Sequence, residues 1–217
     1  MEMAPLIEPT EIWRLPPSGE IRRYDQWLSP TEQHDLWRHL TGTHIDWHQP
    51  LLHVFGRKVS PSRREAWIAD PNIQYQYSGQ RLKAQPWTTE LRQLSTHLFY
   101  MFGTPFNAVL LNHYAHGHEQ MGWHSDNEPE LGRNPVIASI SLGAQRDFRF
   151  RPKNSAHGAP ITMALPAGSL LLMAGDLQHH WEHSLPQRRR VALPRINLTF
   201  RRIVESNTSN DRFNGVT

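Results

Sequence analysis

The chain has 217 residues, 38% of them hydrophobic and 8 of them Trp, which is enough for one sizeable folded core. It contains no Cys, which excludes disulfides and thiolate metal sites and leaves His and carboxylate side chains as metal ligands. The net charge of +3 fits a polyanionic partner without requiring one. Because no apolar run is long enough to span a bilayer or to form a secretory segment, we expect a cytoplasmic protein without membrane contact.

The N-terminal region is expected to be irregular until its first helix. Residues 1–27 are rich in Pro and show no strong periodicity. Ser29 and Glu32 have the spacing of a capping box, with Pro30 at the first helical position between them. This pattern predicts a helix that ends at Gly42.

The pattern of the chain changes from helical to extended near its middle. From Pro86, Leu residues recur at helical spacing up to Gly103, which predicts a second helix. The predicted strands that follow are 106–114, 136–142, 147–151, 161–164, 169–174, 179–184 and 194–203. This order predicts a mostly β protein with flanking helices (the α+β class), built on an antiparallel double-layer sandwich or jelly roll.

A stretch between the two helices combines cations with aromatic rings. The cations are Arg57, Lys58, Arg63 and Arg64, and the rings are Phe55, Trp67, Tyr75 and Tyr77. Cations contact phosphates and flat rings stack on bases, so this stretch is suited to nucleic acid. A solvated loop beside a half-buried hairpin would give the same pattern, and the residues alone leave both interpretations open.

The last predicted strand alternates apolar and polar side chains with period two. One face carries Ile196, Leu198 and Phe200, and the other carries Arg195, Asn197, Thr199 and Arg201. The two arginines are about 20 Å apart along the strand, and the pair could grip a short molecule with a carboxylate at each end. An open sheet face with two solvated arginines is the alternative.

A metal site is predicted from paired His and carboxylate residues. Two His and one carboxylate on one face of a divalent metal such as Fe(II) leave other positions free for ligands. The His-x-Asp/Glu spacing occurs at His44/Asp46, His124/Asp126 and His180/Glu182, and chance matches are expected among 14 His. Context favours His124 and Asp126, because they follow a strand end and a Gly-containing loop. His183, a long β segment later, completes the set.

Several motifs occur together in a fixed order. They are Asn112-x-Tyr114, His124-Ser125-Asp126-Asn127-Glu128, Ile137 to Phe148, Gly168 to Met173, Trp181 to Pro186, and Arg195 to Arg201. With them, about residues 50–203 resemble the AlkB family of Fe(II)/2-oxoglutarate-dependent nucleic-acid dealkylases, close to the branch that contains the human DNA-repair homologues.

The resemblance implies a role for each matching residue. It implies that iron is held by His124, Asp126 and His183. It implies that 2-oxoglutarate is held by Asn112, Tyr114, Arg195, Asn197, Thr199 and Arg201, with Arg195 at the distal carboxylate and Arg201 near the metal. For the substrate it implies Phe55 as a wedge in the base stack, Tyr77 stacked on the base, Tyr75 and Glu128 at the base edge, and Arg63 near the phosphates. Asn127 stands where close relatives often carry an acidic residue.

The resemblance also implies an activity and an architecture. The activity is oxidative demethylation of N-alkylated bases such as 1-methyladenine and 3-methylcytosine in DNA, or in RNA, with release of formaldehyde. It would use Fe(II), 2-oxoglutarate and O2. A 2-oxoglutarate oxygenase acting on RNA or protein, and a non-catalytic nucleic-acid-binding module with a structural metal, are the alternatives.

We expect a monomer with one domain over residues 1–217. Within it, a helical extension and a nucleotide-recognition lid cover 28–103, and a double-stranded β-helix (jelly-roll) core covers 104–203. A mobile tail is expected over 204–217.

Overall fold

The structure is a computed structural model that describes residues 7–50, 52–54, 57–59, 61–71, 73, 76–77, 80–81 and 84–204. The helices are Pro30–Thr41 (α1), Thr89–Phe102 (α2) and Leu177–His180 (α3). The strands of the first half are Glu11–Leu15 (β1), Gly19–Tyr24 (β2), Leu52–Val54 (β3), Arg57–Val59 (β4), Arg64–Ala69 (β5), Gln76–Tyr77 (β6) and Gln80–Arg81 (β7). Those of the second half are Ala108–Tyr114 (β8), Met121–His124 (β9), Ile137–Gly143 (β10), Arg146–Pro152 (β11), Ile161–Leu165 (β12), Leu170–Gly175 (β13), Trp181–Leu185 (β14) and Arg195–Arg201 (β15).

In the described part of the chain, two antiparallel sheets form the body of the fold. The larger has seven strands in the order β1-β2-β13-β10-β15-β8-β5, and the smaller has four in the order β12-β11-β14-β9. Strands β3 and β4 form a separate two-stranded sheet, and β6 and β7 form another. This arrangement confirms the predicted mostly β jelly roll with flanking helices.

The first two helices form where the sequence predicts them. The Ser29 hydroxyl accepts from the backbone N–H of Glu32, whose carboxylate accepts from the Ser29 backbone N–H, and α1 ends at Gly42 as expected. In α2 the Thr88 side chain caps the first turn, so the helix begins after Pro86 rather than at it. Gly103 ends α2 in the left-handed region, at a φ of 68°.

Two apolar layers cover the two faces of the large sheet. On its outer face, α1 and α2 pack through buried residues such as Leu40 and Leu98 against Leu198 and Phe200. On its inner face, residues such as Met173 meet the small sheet in a second buried cluster. The two sides of β15 therefore lie in different environments, one against the helices and one toward the small sheet.

The expectation of an irregular lead-in over residues 1–27 is wrong. Residues 11–24 form the β1-β2 hairpin, and β2 pairs along β13, for example Ile21 opposite Met173. The charged residues of this segment interrupt the alternation of apolar and polar residues that predicts a strand. The strand forms because β2 pairs with β13. The large sheet also takes β5 from the region expected to be a helical extension.

The strand predicted over 179–184 starts too early. His179 and His180 belong to the short helix α3, where the N–H of Trp181 bonds the Leu177 carbonyl, and the strand begins at Trp181. The loop expected before Asp126 also contains a strand, β9. None of the described helices has both the length and the apolar character required to cross a bilayer.

The packing of β15 predicts unequal effects of two leucine truncations. Leu198 is fully buried beneath the helices, so Leu198→Ala should lower the free energy of unfolding by about 2–5 kcal/mol in urea denaturation. Leu193, which is 70% exposed, serves as the control, and Leu193→Ala should stay within about 0.5 kcal/mol of the natural chain. Equal losses would contradict the assigned faces.

Candidate metal centre and co-substrate pocket

A cavity lies between the two sheets, and its lining is polar at both ends. From the large sheet it is lined by Asn112, Ser139, Arg195, Asn197, Thr199 and Arg201. From the small sheet and the loop after β9 it is lined by His124, Asp126, Phe148 and His183. The polar face of β15 therefore looks into an enclosed space, and the alternative of an open face with solvated arginines is wrong.

Three side chains converge at one end of this cavity. His124 ends β9, Asp126 follows it by two residues, and His183 lies opposite His124 on β14. One nitrogen or oxygen from each lies within 4.8 Å of the others. The imidazole centroids are 4.2 Å apart, and Nε2 of His124 is 4.0 Å from Oδ1 of Asp126. Within the described residues this is the group of His and carboxylate side chains close enough to share a metal ion.

Each histidine has a ring nitrogen available for a metal ion. Nδ1 of His124 lies 2.8 Å from the Gly122 carbonyl, which can only accept, so Nδ1 is the donor in this bond and Nε2 is left for the cavity that His124 lines. Burial, reinforced by the nearby His124, lowers the pKa of His183 to about 3, so this imidazole is uncharged at neutral pH. A metal ion therefore competes with no proton at His183.

Asp126 is buried as a charged group, and Arg201 makes this possible. Its side chain is 1% exposed, and its Oδ2 accepts from Nη2 and Nε of Arg201 at 2.7 and 3.2 Å. Burial is the largest single effect and raises the pKa of Asp126, but the charge and hydrogen bond of Arg201, together with contributions from His183 and His124, outweigh it, and the pKa falls to about 2.

The donor set fits Fe(II). The second carboxylate oxygen of Asp126, Oδ1, is buried without a hydrogen-bond partner and lies on the side of the two histidines. A buried carboxylate oxygen without a partner is unfavourable unless a cation completes its environment. Two imidazoles and one carboxylate on one face are the ligands of non-haem Fe(II) sites that keep positions open.

The other end of the cavity is built for an anion. The Arg195 side chain is 2% exposed, and burial lowers its pKa only to about 10, so it stays charged at neutral pH. Its Nη2 donates to Ser141 Oγ at 2.9 Å and to Asn197 Oδ1 at 2.7 Å, while Nε is buried without a partner. Its guanidinium carbon lies 5.7 Å from the centre of the Tyr114 ring. A carboxylate would satisfy the remaining donor.

The polar residues between the two arginines form one connected row. Asn197 Nδ2 donates to Thr199 Oγ1 at 2.8 Å, and Ser139 Oγ donates to Asn197 Oδ1 at 3.1 Å. Sequence reasoning did not identify Ser139 and Ser141 as site residues. The sequence shows only that both alternate with apolar residues on β10, and it is the structure that pairs them with Thr199 and Asn197.

Arg63 lies elsewhere than expected. Its side chain is 3% exposed, and its Nε donates to Oδ1 of Asn112 at 3.2 Å. A buried guanidinium in this position cannot contact a phosphate at the surface. The structure instead shows Arg63 supporting Asn112, one of the residues that line the cavity.

The other predicted substrate residues are only partly within the described chain. Asn127 is exposed and Glu128 is half-buried, directly after Asp126 at the edge of the site. Phe55 and Tyr75 lie outside the described residues. Tyr77 ends the short strand β6, of which the backbone alone is described.

The other two His-x-Asp/Glu pairs form no comparable site. His44 stacks on His39 with ring centroids 4.7 Å apart, and Asp46 is exposed. Glu182 pairs with Arg151 at 2.7 Å on the outside of the small sheet. All three pairs have the same spacing, and it was the preceding strand end and Gly-containing loop that favoured His124 and Asp126 as metal ligands.

The fold and the site define a class: a jelly roll with a two-histidine, one-carboxylate group facing an anion pocket. The sequence model of the 2OG-Fe(II) oxygenase superfamily matches residues 20–201, which is most of the chain. The chain belongs to this superfamily and, within it, to the AlkB family that its motifs indicate.

Curated relatives include two human proteins. The chain is 41% identical over 159 residues to human DNA oxidative demethylase ALKBH2, covering 70% of this chain and 61% of the relative. It is 32% identical over 210 residues to human alpha-ketoglutarate-dependent dioxygenase alkB homolog 3, covering 91% and 68%. The chain thus spans about three fifths of the length of the ALKBH2 relatives, 61% of the human and 57% of the bovine protein.

The solved structure of OsALKBH1 has the same fold. It matches with a TM-score of 0.59 over 88% of this chain and 100% of that chain. At 16% identity this likeness shows the fold alone.

The buried pair of Arg201 and Asp126 predicts a strong effect on stability. Arg201→Met should lower the free energy of unfolding by about 3–5 kcal/mol, because it leaves a buried carboxylate without its countercharge. The double variant Arg201→Met/Asp126→Asn removes both charges and should be more stable than Arg201→Met alone. Urea denaturation of the natural chain, both single variants and the double variant measures this coupling, and simple additivity would contradict it.

Proposed function

We propose that this protein is an Fe(II)/2-oxoglutarate-dependent dioxygenase that removes alkyl groups from the nitrogens of bases in DNA. The observation that carries the proposal is the combination in one cavity of a three-ligand site with an anion pocket. In the three-ligand site, Oδ1 of Asp126 has no hydrogen-bond partner, and in the anion pocket Nε of Arg195 has none. The 2OG-Fe(II) oxygenase superfamily, to which the chain belongs, uses Fe(II), which the three-ligand site would bind, and 2-oxoglutarate, which the anion pocket would bind.

The chain's own residues would bind and orient the reactants. His124, Asp126 and His183 would hold Fe(II), which together with 2-oxoglutarate and O2 supplies the oxidising chemistry. Arg195 would bind the distal carboxylate of 2-oxoglutarate, with Asn197 directing its guanidinium. The near end of the co-substrate would then lie on the metal side of the cavity.

Arg201 would orient the metal ligand Asp126 in addition to contacting the co-substrate. Both of its contacts with Asp126 go to Oδ2, which leaves Oδ1 for the metal. The assignment of Arg195 to the distal end and Arg201 to the metal-proximal end is supported by this contact. Since Asp126 and His183 are nearly inaccessible to solvent, the arrangement also keeps water away from the reacting groups.

Alkylated DNA is the substrate that the comparisons favour. Human, bovine and mouse ALKBH2 are all named DNA oxidative demethylases. Cationic N-methyl bases such as 1-methyladenine and 3-methylcytosine pair poorly, which lowers the energy needed to extrude them into an enclosed site. Exposed Arg189 and Arg190, in the loop before β15, add positive charge suited to a phosphate backbone. A monomeric state and a cytoplasmic location stay predictions.

Open coordination positions distinguish this proposal from a binding module with a structural metal. Structural zinc sites in proteins are closed by four ligands, whereas the described residues bring three side chains together here. Iron content together with 2-oxoglutarate-dependent release of succinate decides between the two classes. Mass spectrometry of methylated DNA and RNA oligonucleotides, single- and double-stranded, then identifies the preferred substrate.

The ligand assignment predicts that Asp126→Ala abolishes 2-oxoglutarate-dependent demethylation of a methylated oligonucleotide, because the three-residue site loses its one anionic side chain. Mass spectrometry of the oligonucleotide measures the product, and circular dichroism checks the fold. Asp46→Ala is the matched control, since Asp46 has the same spacing from a His but is exposed and remote from the cavity. Demethylation retained by Asp126→Ala would show that the ligand assignment is wrong.

The co-substrate assignment predicts that Arg195→Met raises the KM for 2-oxoglutarate at least about tenfold, because a hydrogen bond to a charged group contributes about 1.5–3 kcal/mol. Succinate release at varied 2-oxoglutarate concentration measures this change. Arg92→Met, which replaces an exposed arginine of α2, should leave the KM unchanged. An unchanged KM in Arg195→Met would remove this residue from the co-substrate pocket.

A further inference from the structure

A buried glutamine connects the two chain segments that form the candidate metal centre. Gln178 lies in α3, immediately before the strand that carries His183, and is 1% exposed. Its Oε1 accepts a hydrogen bond from the backbone N–H of Asp126 at 2.9 Å. The bond spans 52 positions of sequence, so it is a tertiary contact and not a feature of a local turn.

A second hydrogen bond ties the same two segments together. The Oγ of Ser125 donates to the backbone carbonyl of Trp181 at 3.0 Å. His124 and His183 are direct partners in the pairing of β9 and β14. The loop that carries Asp126 is therefore fixed at several points to the segment that carries His183.

The surroundings of Gln178 fix the orientation of its amide. Oε1 must face the Asp126 N–H, because the NH2 group of the amide could not accept from it. Nε2 then points to Met173 Sδ at 3.7 Å, a weak acceptor. The backbone carbonyl of Gln178 accepts from Nζ of Lys153 at 2.9 Å, which holds the helical turn itself in place.

The hydrogen bonds to Asp126 act on different parts of the residue. Arg201 binds the side-chain atom Oδ2, whereas Gln178 binds the backbone amide. Together they fix both ends of the residue and leave Oδ1 directed toward the two histidines. Without the glutamine acceptor, a buried N–H loses its partner, and the loop has to shift to find another.

We infer that Gln178 is a positioning residue that holds Asp126 in the geometry required for metal binding, an inference that rests on the metal centre of the proposed function. It is not one of the three candidate ligands and does not line the cavity, so it acts through the Asp126 backbone. Partners that orient a metal ligand typically change metal affinity about 10–100-fold when they are replaced. A loss of that size is expected here.

The test is Mn(II) binding by the metal-free protein, followed through the EPR signal of free Mn(II), with thermal unfolding recorded for each variant. Gln178→Met keeps the length and volume of the side chain but removes the acceptor, and it should bind Mn(II) about 10–100-fold more weakly than the natural chain. Gln178→Glu keeps an oxygen acceptor at the same reach, and because burial favours the neutral carboxyl form there, it should bind with nearly natural affinity. If Gln178→Met lacks a cooperative unfolding transition, Gln178→Asn replaces it, because its amide ends one methylene short of the Asp126 N–H.

Gln33→Met is the matched control. Gln33 is half-buried, and its Nε2 donates to the Leu28 carbonyl at 2.8 Å, far from the metal centre. This variant loses a similar side chain to backbone bond and should keep the natural Mn(II) affinity.

The outcomes separate the inference from the function on which it rests. Natural affinity in Gln178→Met, or an equal loss in Gln178→Glu, would overturn the positioning role and leave the metal centre in place. Absence of Mn(II) binding by the natural chain would instead overturn the metal centre itself.

Discussion

The buried ion pair between Arg201 and Asp126 is the interaction on which the rest of the site depends. Each charge alone would be strongly unfavourable at less than 5% exposure, so each group requires the other. The pair joins the end of β15 to the loop after β9, and thus the large sheet to the small one. Because Arg201 occupies one carboxylate oxygen, the free oxygen faces His124 and His183. The geometry of the metal centre therefore follows from where the hydrophobic core places β15.

The parts of this site that sequence reasoning could predict are those encoded within a single element. The alternation of β15 identified which residues share a face, and the structure places Ile196, Leu198 and Phe200 in the core under the helices. The polar partners Arg195, Asn197, Thr199 and Arg201 line the cavity. The start of α1 followed from a capping box of four residues. Local context separated His124 and Asp126 from two other pairs of equal spacing, and the ordered motifs then assigned them to a known family.

The parts that sequence reasoning missed depend on partners distant in the chain. The β1-β2 hairpin has a weak strand pattern, and its order comes from pairing with β13 about 150 positions later. Ser139 and Ser141 are small polar residues whose role becomes visible only when β10 is set in register with β15. Gln178 lies between the predicted strands 169–174 and 179–184, where no element was predicted, and the structure places it in α3. Arg63 was expected near the phosphates from the resemblance, whereas the structure buries it beside Asn112.

Both faces of β15 are largely removed from solvent, and the burial of its polar face bears on which ligands the cavity can bind. An apolar face tolerates burial, but a buried polar face is stable only when its donors and acceptors are satisfied. The row from Ser141 through Arg195 to Thr199 satisfies most of them internally. The cavity also holds Nε of Arg195 and Oδ1 of Asp126, which are buried without a hydrogen-bond partner, one a donor that suits an anion and the other an acceptor that suits a cation. These two groups are thus complementary to a carboxylate and a metal ion, so their burial favours binding of both.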